Sequence, residues 1–326
     1  MKKTISLMLL LCLTLLVAVV GYLKLDTAMR RATMYLEKDV SKEQAEGFLK
    51  QETEQAESVQ ALFFRKRVFP DTDLTILEIC GDVRLLTQGM ETLMDEDKEG
   101  CLISTALADD MFKSPHVKGQ HLTLGGNVYT IRGVYSDKDK QVIRINDDKE
   151  ILFEQVRVQK QGQGSAANTL REFAMRHGLS GDTLQWVEYV GIVKGLLLLA
   201  LGLLAMLPWY LIKKVLPTKI KTLPKVNISP KIFLVGYIGI VAFLIGSQIN
   251  IPIEMIPAKW SDFAYWNEWF RGVSSNLRNV LSLEKVGYEQ GFLFWGMWSV
   301  IGSLGTIFAT VLLRRTVKDV KSFSVK

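Results

Sequence analysis

Apolar residues are gathered into four blocks along this chain, and between the first two the pattern changes to the short alternations of a sheet. Residues 4–23, TISLMLLLCLTLLVAVVGYL, hold no charge over twenty positions, which at about 1.5 Å per residue crosses a hydrocarbon layer of about 30 Å. Residues 190–212, 232–253 and 291–313 behave alike, with Lys194 near one end of its block where it can snorkel. The first block follows Met-Lys-Lys and ends near Ala18 and Gly21, the layout of a cleaved signal peptide. Its apolar run is longer than a usual signal core, and Leu11 stands before Cys12 where a lipoprotein site needs a small residue, so a retained anchor is the reading adopted. The pattern predicts a multi-pass α-helical membrane protein with four spans and an α+β domain inserted between spans one and two.

Residues 24–58 are rich in helix formers and lack proline, with Ser41 and Gln44 spaced as a capping box, and are expected to form a helical stalk. Residues 59–69 and 74–80 turn β-branched and aromatic and read as strands separated at Pro70-Asp71. After the exposed turn DEDKEG come a short strand, CLIS, and a helix, TALADDMF, whose buried stripe is read as Ala106, Leu107, Met111 and Ala108. Alternation on both sides of Gly125-Gly126-Asn127 predicts a hairpin, because glycine and asparagine tolerate the positive φ of a tight turn. KQVIRIN and EILFEQVRVQ add two strands, 161–168 reads as a polar linker, and a helix at 169–178 leads to the second span. The domains expected are therefore a first span at 1–23, the α+β domain with its stalk at 24–187, and a three-span region at 188–326.

Charge orients these blocks. Lys2 and Lys3, six lysines without an acid in 213–231, and Arg314, Arg315, Lys318, Lys321 and Lys326 against Asp319 together hold twice the formal net charge of +6, so the remainder is net acidic. The positive-inside bias makes the N-terminus, the 213–231 loop and the C-terminal tail cytoplasmic, and places 24–189 and the loop 254–290 outside the plasma membrane. The basic balance is thus a topology signal, and no nucleic-acid partner is read from it. Outside the cell thiols tend to oxidise, so Cys80 and Cys101 are candidates for a disulfide closing a loop of about 22 residues, worth roughly 3 kcal/mol. The alternative is two separately buried thiols. Cys12 lies in the first span as a small apolar residue.

No catalytic constellation emerges. His116 and His121 flank the hairpin far from His177, with no metal-binding spacing. Ser104 and Ser165 lack the nucleophile-elbow context, and the acids of DEDKE and NDDKE lack the spacing of a calcium loop. No cofactor, metal site or enzyme activity is expected. The loop KWSDFAYWNEWFRG sets Trp260, Phe263, Trp266, Trp269 and Phe270 at helical spacing against Asp262, Asn267, Glu268 and Arg271. This is an interfacial helix of the aromatic belt, or a membrane-level flap at a lateral opening. Gly191 with Gly195, and Gly302 with Thr306, have the four-residue spacing that lets helix backbones approach.

Residues 81–135 carry a family resemblance. Gly81-Asp82 and Gly89, then CLISTALADDMF, then VKGQHLTLGGNVYTIRGVY resemble the MacB-like periplasmic core domain of FtsX-like ABC transporter permeases, which also have one span, an outer domain and three further spans. The resemblance implies a permease subunit acting as a homodimer or paired permease with a separate cytoplasmic ATPase, for export or mechanotransmission. Two features depart from the family. Only Met-Lys-Lys precedes the first span where an amphipathic helix is usual, and IKKVLPTKIKTLPKVNISPK, with Pro217, Pro224 and Pro230, stands where a coupling stretch docks on the ATPase. They leave a second reading open, a membrane-anchored accessory or sensor protein whose outer domain binds a ligand or partner.

Overall fold

Apolar content and caps fix the local structure, and the computed structural model describes it for residues 2–55, 59–69, 72–87, 92–94, 97–146, 148, 150–160, 166–219 and 263–323. These divide into two compact units. One comprises Met1–Leu25, Tyr189–Gly272 and Phe294–Lys326, and the other Asp26–Glu188 with Val273–Leu293.

The first unit is helical. Among the described residues three helices are long and apolar enough to cross a membrane, Ile5–Arg30, Val187–Met206 and Gly287–Thr316. They coincide with the blocks expected at 4–23, 190–212 and 291–313. The block at 232–253 lies outside the described residues. The helices themselves are α1 (Lys2–Asp26), α5 (Val187–Lys219), α6 (Phe263–Ser282), which from Val273 onward belongs to the second unit, and α7 (Gln290–Phe323). Within this unit α1 and α7 approach closely through small residues. A Cβ on Gly302 would lie 2.5 Å from the Ala18 nitrogen, and one on Gly21 would lie 2.7 Å from the Trp295 carbonyl. The Ser299 hydroxyl donates to the Ala18 carbonyl at 2.8 Å, and the Thr306 and Thr14 hydroxyls lie 3.1 Å apart. Small side chains here let two backbones pack where lipid offers no hydrophobic drive between helices.

The second unit is built on a nine-stranded sheet in the order β5-β6-β4-β7-β3-β2-β8-β1-β9. Its strands are β1 (Arg31–Ser41), β2 (Gln60–Phe69), β3 (Leu74–Gly81), β4 (Gly100–Ser104), β5 (His121–Leu124), β6 (Asn127–Tyr135), β7 (Gln141–Ile145), β8 (Leu152–Gln159) and β9 (Gly181–Gln185). The pairs β3/β7 and β4/β6 are parallel and the others antiparallel. Helices α2 (Lys42–Thr53), α3 (Thr105–Phe112) and α4 (Ala166–His177) complete it. Gly125 and Gly126 have φ of 56° and 87°, as the hairpin turn requires. The Ser41–Gln44 capping box is formed at the start of α2.

Both faces of the sheet centre are buried, so adjacent residues of β2 diverge into separate cores. Phe63 joins Phe153, Phe173 and the α2/α4 side, while Leu62 and Phe64 join Leu77, Ile79, Leu85 and Val286 on the other. A third cluster gathers Cys101, Ile103, Leu107, Leu122 and Ile131 beneath α3.

Several expectations are corrected. Residues 31–41 form strand β1 in place of stalk helix, because β8 and β9 pair with it on both sides and tertiary pairing overrides helix propensity. In α3 Leu107 and Ala108 are buried but Met111 is exposed. Helix α4 already begins at Ala166, inside the expected linker, and strand β9 separates it from α5. Cys80 and Cys101 form no disulfide. They lie on β3 and β4, and β7 runs between those strands. Two strand spacings of about 4.8 Å exceed the roughly 7 Å Cα separation a bridge can span.

Candidate functional site: a buried ionic clasp

Strand β8 alternates, so Val156 and Val158 enter the α4 side of the sheet and Arg157 must point to the opposite face. That face is covered as well, and Arg157 is 0% exposed. A guanidinium taken out of water needs its donors met and its charge opposed. Its Nε donates to the Thr33 hydroxyl at 2.9 Å, directly across the strand pair on β1. Its Nη1 donates to the Leu85 carbonyl at 3.1 Å. Its Nη2 donates to the Val286 carbonyl at 3.3 Å and to a Glu289 carboxylate oxygen at 2.6 Å.

Glu289 closes the arrangement from the far end of the sequence. It sits in the 3-10 turn Gly287–Glu289, directly before α7, and its second oxygen accepts the Thr33 hydroxyl proton at 3.0 Å. Gly287 makes the turn possible, with φ of 66° and no Cβ, since a Cβ there would lie 2.6 Å from the Leu86 carbonyl. Val286 is buried in the sheet core beside Leu62 and Phe64. The rings of Phe64 and Tyr288 lie 5.2 and 5.7 Å from the Arg157 guanidinium, and Arg31 caps the Tyr288 ring at 4.3 Å. Phe292 then meets the Tyr288 and Trp186 rings edge-on at 5.4 and 5.2 Å.

Further contacts secure the same segment. Lys66 pairs with Glu284, and the Tyr35 hydroxyl donates to the Glu284 carbonyl. Burial, together with the Glu289 and Glu284 carboxylates, pushes the Tyr35 phenol well above its usual range, so it stays a donor. Burial also lowers the Lys285 ammonium, against the pull of Glu289.

The clasp thus joins β1, which directly follows the first membrane helix, to β8 and to the turn that directly precedes the last. What it can do is resist separation, because pulling Glu289 away leaves a guanidinium stranded without solvent. A smaller ionic node lies on the α2/α4 side. Buried Glu52 accepts from Arg176 at 3.0 and 2.9 Å and lies 2.9 Å from His177 Nε2, whose ring packs between Phe48 and Phe173.

The residues singled out from the sequence are not brought together at the clasp. Trp266, Trp269 and Phe270 form a run of edge-on contacts at 6.1 and 4.9 Å along α6, with Phe263 on the same helix, and Trp260 lies outside the described residues. Gly302 packs on α1, whereas a Cβ on Gly191 or Gly195 would meet no atom of the described residues within 4 Å. Arg157 and Glu289 were invisible as a pair in the sequence. The available signal was a lone arginine between valines in a strand with strands on either side.

No protein-family model matches the sequence and no curated protein matches it. Among solved structures, the periplasmic region of MacB from Actinobacillus actinomycetemcomitans is similar at 12% identity and a TM-score of 0.37, over 48% of this chain and 88% of that one. The extracellular domain of the noncanonic ABC-type transporter YknZ from Gram-positive bacteria is similar at 15% identity and a TM-score of 0.35, over 47% and 96%. The described helices that are long and apolar enough to cross a membrane are in keeping with a membrane protein.

Proposed function

We propose that this chain is the membrane subunit of a MacB/FtsX-like ABC system, with four spans and the sheet domain outside the cell. It works as a dimer with a separate cytoplasmic ATPase, which carries all nucleotide chemistry. The observation that carries this reading is the clasp. A strand entered from the first membrane helix and a turn leading into the last are locked to one buried arginine on β8. Movement of the membrane helices is then delivered to the sheet through buried charges instead of being lost in a loose linker. Residues 81–135, with their Gly-Asp, LA and YTIRGV elements, support the same family from the sequence. The basic edges at Lys2, 213–231 and Arg314–Lys326 support the inside placement of the termini.

The lysine loop with Pro217, Pro224 and Pro230 favours a second reading, an accessory or sensor protein that has lost ATPase coupling. Purification of the full chain from its native membrane in mild detergent separates the two. A nucleotide-binding subunit with Walker motifs co-purifies under the first reading, and its consistent absence selects the second.

A further inference from the structure

Helix α6 presents an exposed apolar stripe. At 100° per residue, Phe263, Phe270 and Leu281 fall within about 20° of one another and extend over about 27 Å of helix. They are 83%, 61% and 70% exposed. On one flank of the stripe lie Trp266, Val273 and Leu277, half-buried, and on the other lie Ser274, Asn267, Arg278 and Arg271. Large apolar side chains therefore meet guanidinium-bearing ones within a quarter turn. The aromatic half is stiffened by the Trp266–Trp269 and Trp269–Phe270 contacts. The other half is tied down, since Val280 is buried, Asn279 donates to the Thr183 carbonyl at 3.2 Å and Asn276 donates to Glu188 at 2.7 Å.

We propose that this stripe is a lipid-contact surface, with Phe263, Phe270 and Leu281 inserted into the interface of a phospholipid leaflet while Arg271 and Arg278 lie among the headgroups. Three observations select lipid as the occupant. The helix is followed, after the short link 283–286, by the apolar helix that crosses the membrane, so its C-terminal end belongs at the level where that helix enters. Aromatic side chains beside arginines, with an apolar arc and a polar arc on one helix, are the composition that rests in a bilayer interface. Two Phe and one Leu present at most about 500 Å², less than the roughly 800 Å² per partner of a stable protein interface. The helix carries Glu268 against Arg271 and Arg278, so apolar insertion and not headgroup charge dominates. The inference holds whether or not an ATPase partner exists.

The full chain in phosphatidylcholine proteoliposomes tests it. With Cys12, Cys80 and Cys101 replaced by alanine, spin labels are placed through Phe270→Cys on the stripe and Ser275→Cys on the exposed polar arc, and their accessibility to oxygen and to a water-soluble nickel chelate is compared. The expected result is that the label at 270 is oxygen-accessible and nickel-shielded, about 5–10 Å below the headgroup boundary, and that the label at 275 is the reverse. Equal nickel access at both positions places the stripe in water and overturns the proposal. Shielding of the 270 label from both reagents means another protein surface covers it and also overturns the proposal. The unmodified chain gives an independent readout, because a lipid-soluble diazirine should label Phe263, Trp266 and Phe270 in preference to Asn267 and Arg271. Labelling without that preference contradicts the inference.

Discussion

Glu289 and Arg157 are 132 residues apart in sequence and 2.6 Å apart in space, with neither side chain reaching solvent. A buried pair of this kind is weak evidence for high stability, because desolvation offsets most of the Coulomb attraction, but breaking it is costly. Its value here is specificity of attachment, in that only one register of the 283–290 segment satisfies both charges.

Removing one partner should therefore hurt more than removing both. Glu289→Leu or Arg157→Leu alone is expected to destabilise the sheet unit by about 3–5 kcal/mol, and the double variant by clearly less than the sum of the two. Limited proteolysis at the 283–290 segment, followed with temperature in detergent, reads this. Additive losses would mean the two groups do not act as a pair.

The clasp also shows what was legible in the sequence and what was not. Local chemistry was readable, in the Ser41–Gln44 capping box, the Gly125-Gly126 turn and the apolar blocks that became membrane-length helices. Strand β1 was not, because RATMYLEKDVS carries helix formers and owes its extended form to pairing with β8 and β9, which come more than a hundred residues later. An arginine in an alternating strand ordinarily marks its solvent face. Arg157 is buried because both faces of β8 are covered, and the segment that covers its side comes from just before the last helix.

Glycines predicted to serve packing should separate by substitution. Gly302→Leu forces a side chain against the Ala18 nitrogen and the Thr14 carbonyl, and is expected to lower the thermal stability of the detergent-solubilised protein markedly. Gly191→Ala and Gly195→Ala meet no atom of the described residues within 4 Å and are expected to be neutral, or stabilising by up to about 1 kcal/mol from helix propensity. Size-exclusion profiles after heating rank the three. A Gly191 variant as damaged as Gly302→Leu would refute the assignment of the tight contact to α1 and α7.

Thiol chemistry provides a pH test. Burial pushes the Cys101 thiol up to about 12, so its reactive thiolate is scarce below that pH. Cys101 in the folded chain is expected to resist maleimide between pH 7 and 9 and to react promptly once the chain is denatured, and Cys80 and Cys101 should migrate unbridged on non-reducing gels. Prompt labelling of Cys101 in the folded protein at pH 7 would contradict its burial.

Asp137 gives a second pH dependence with a definite sign. Burial is the largest influence on its carboxyl and raises it above the usual range, so the folded state binds this proton more tightly than the unfolded one. The stabilisation this provides is present at low pH and is lost as pH rises through the raised value. Asp137→Asn is therefore expected to improve stability relative to the parent more at pH 7 than at pH 4, by thermal melting at both. A larger gain at pH 4 would reverse the assigned cause.

The central claim is that the clasped sheet stands outside the cell while the lysine-rich edges stand inside. It is tested most directly by an impermeant maleimide applied to intact cells carrying Lys138→Cys, on an exposed loop of the sheet unit, or Lys219→Cys, at the end of α5. Rapid labelling is expected at 138, and labelling at 219 only after permeabilisation. Labelling at 219 with protection at 138 would place the sheet inside and contradict it.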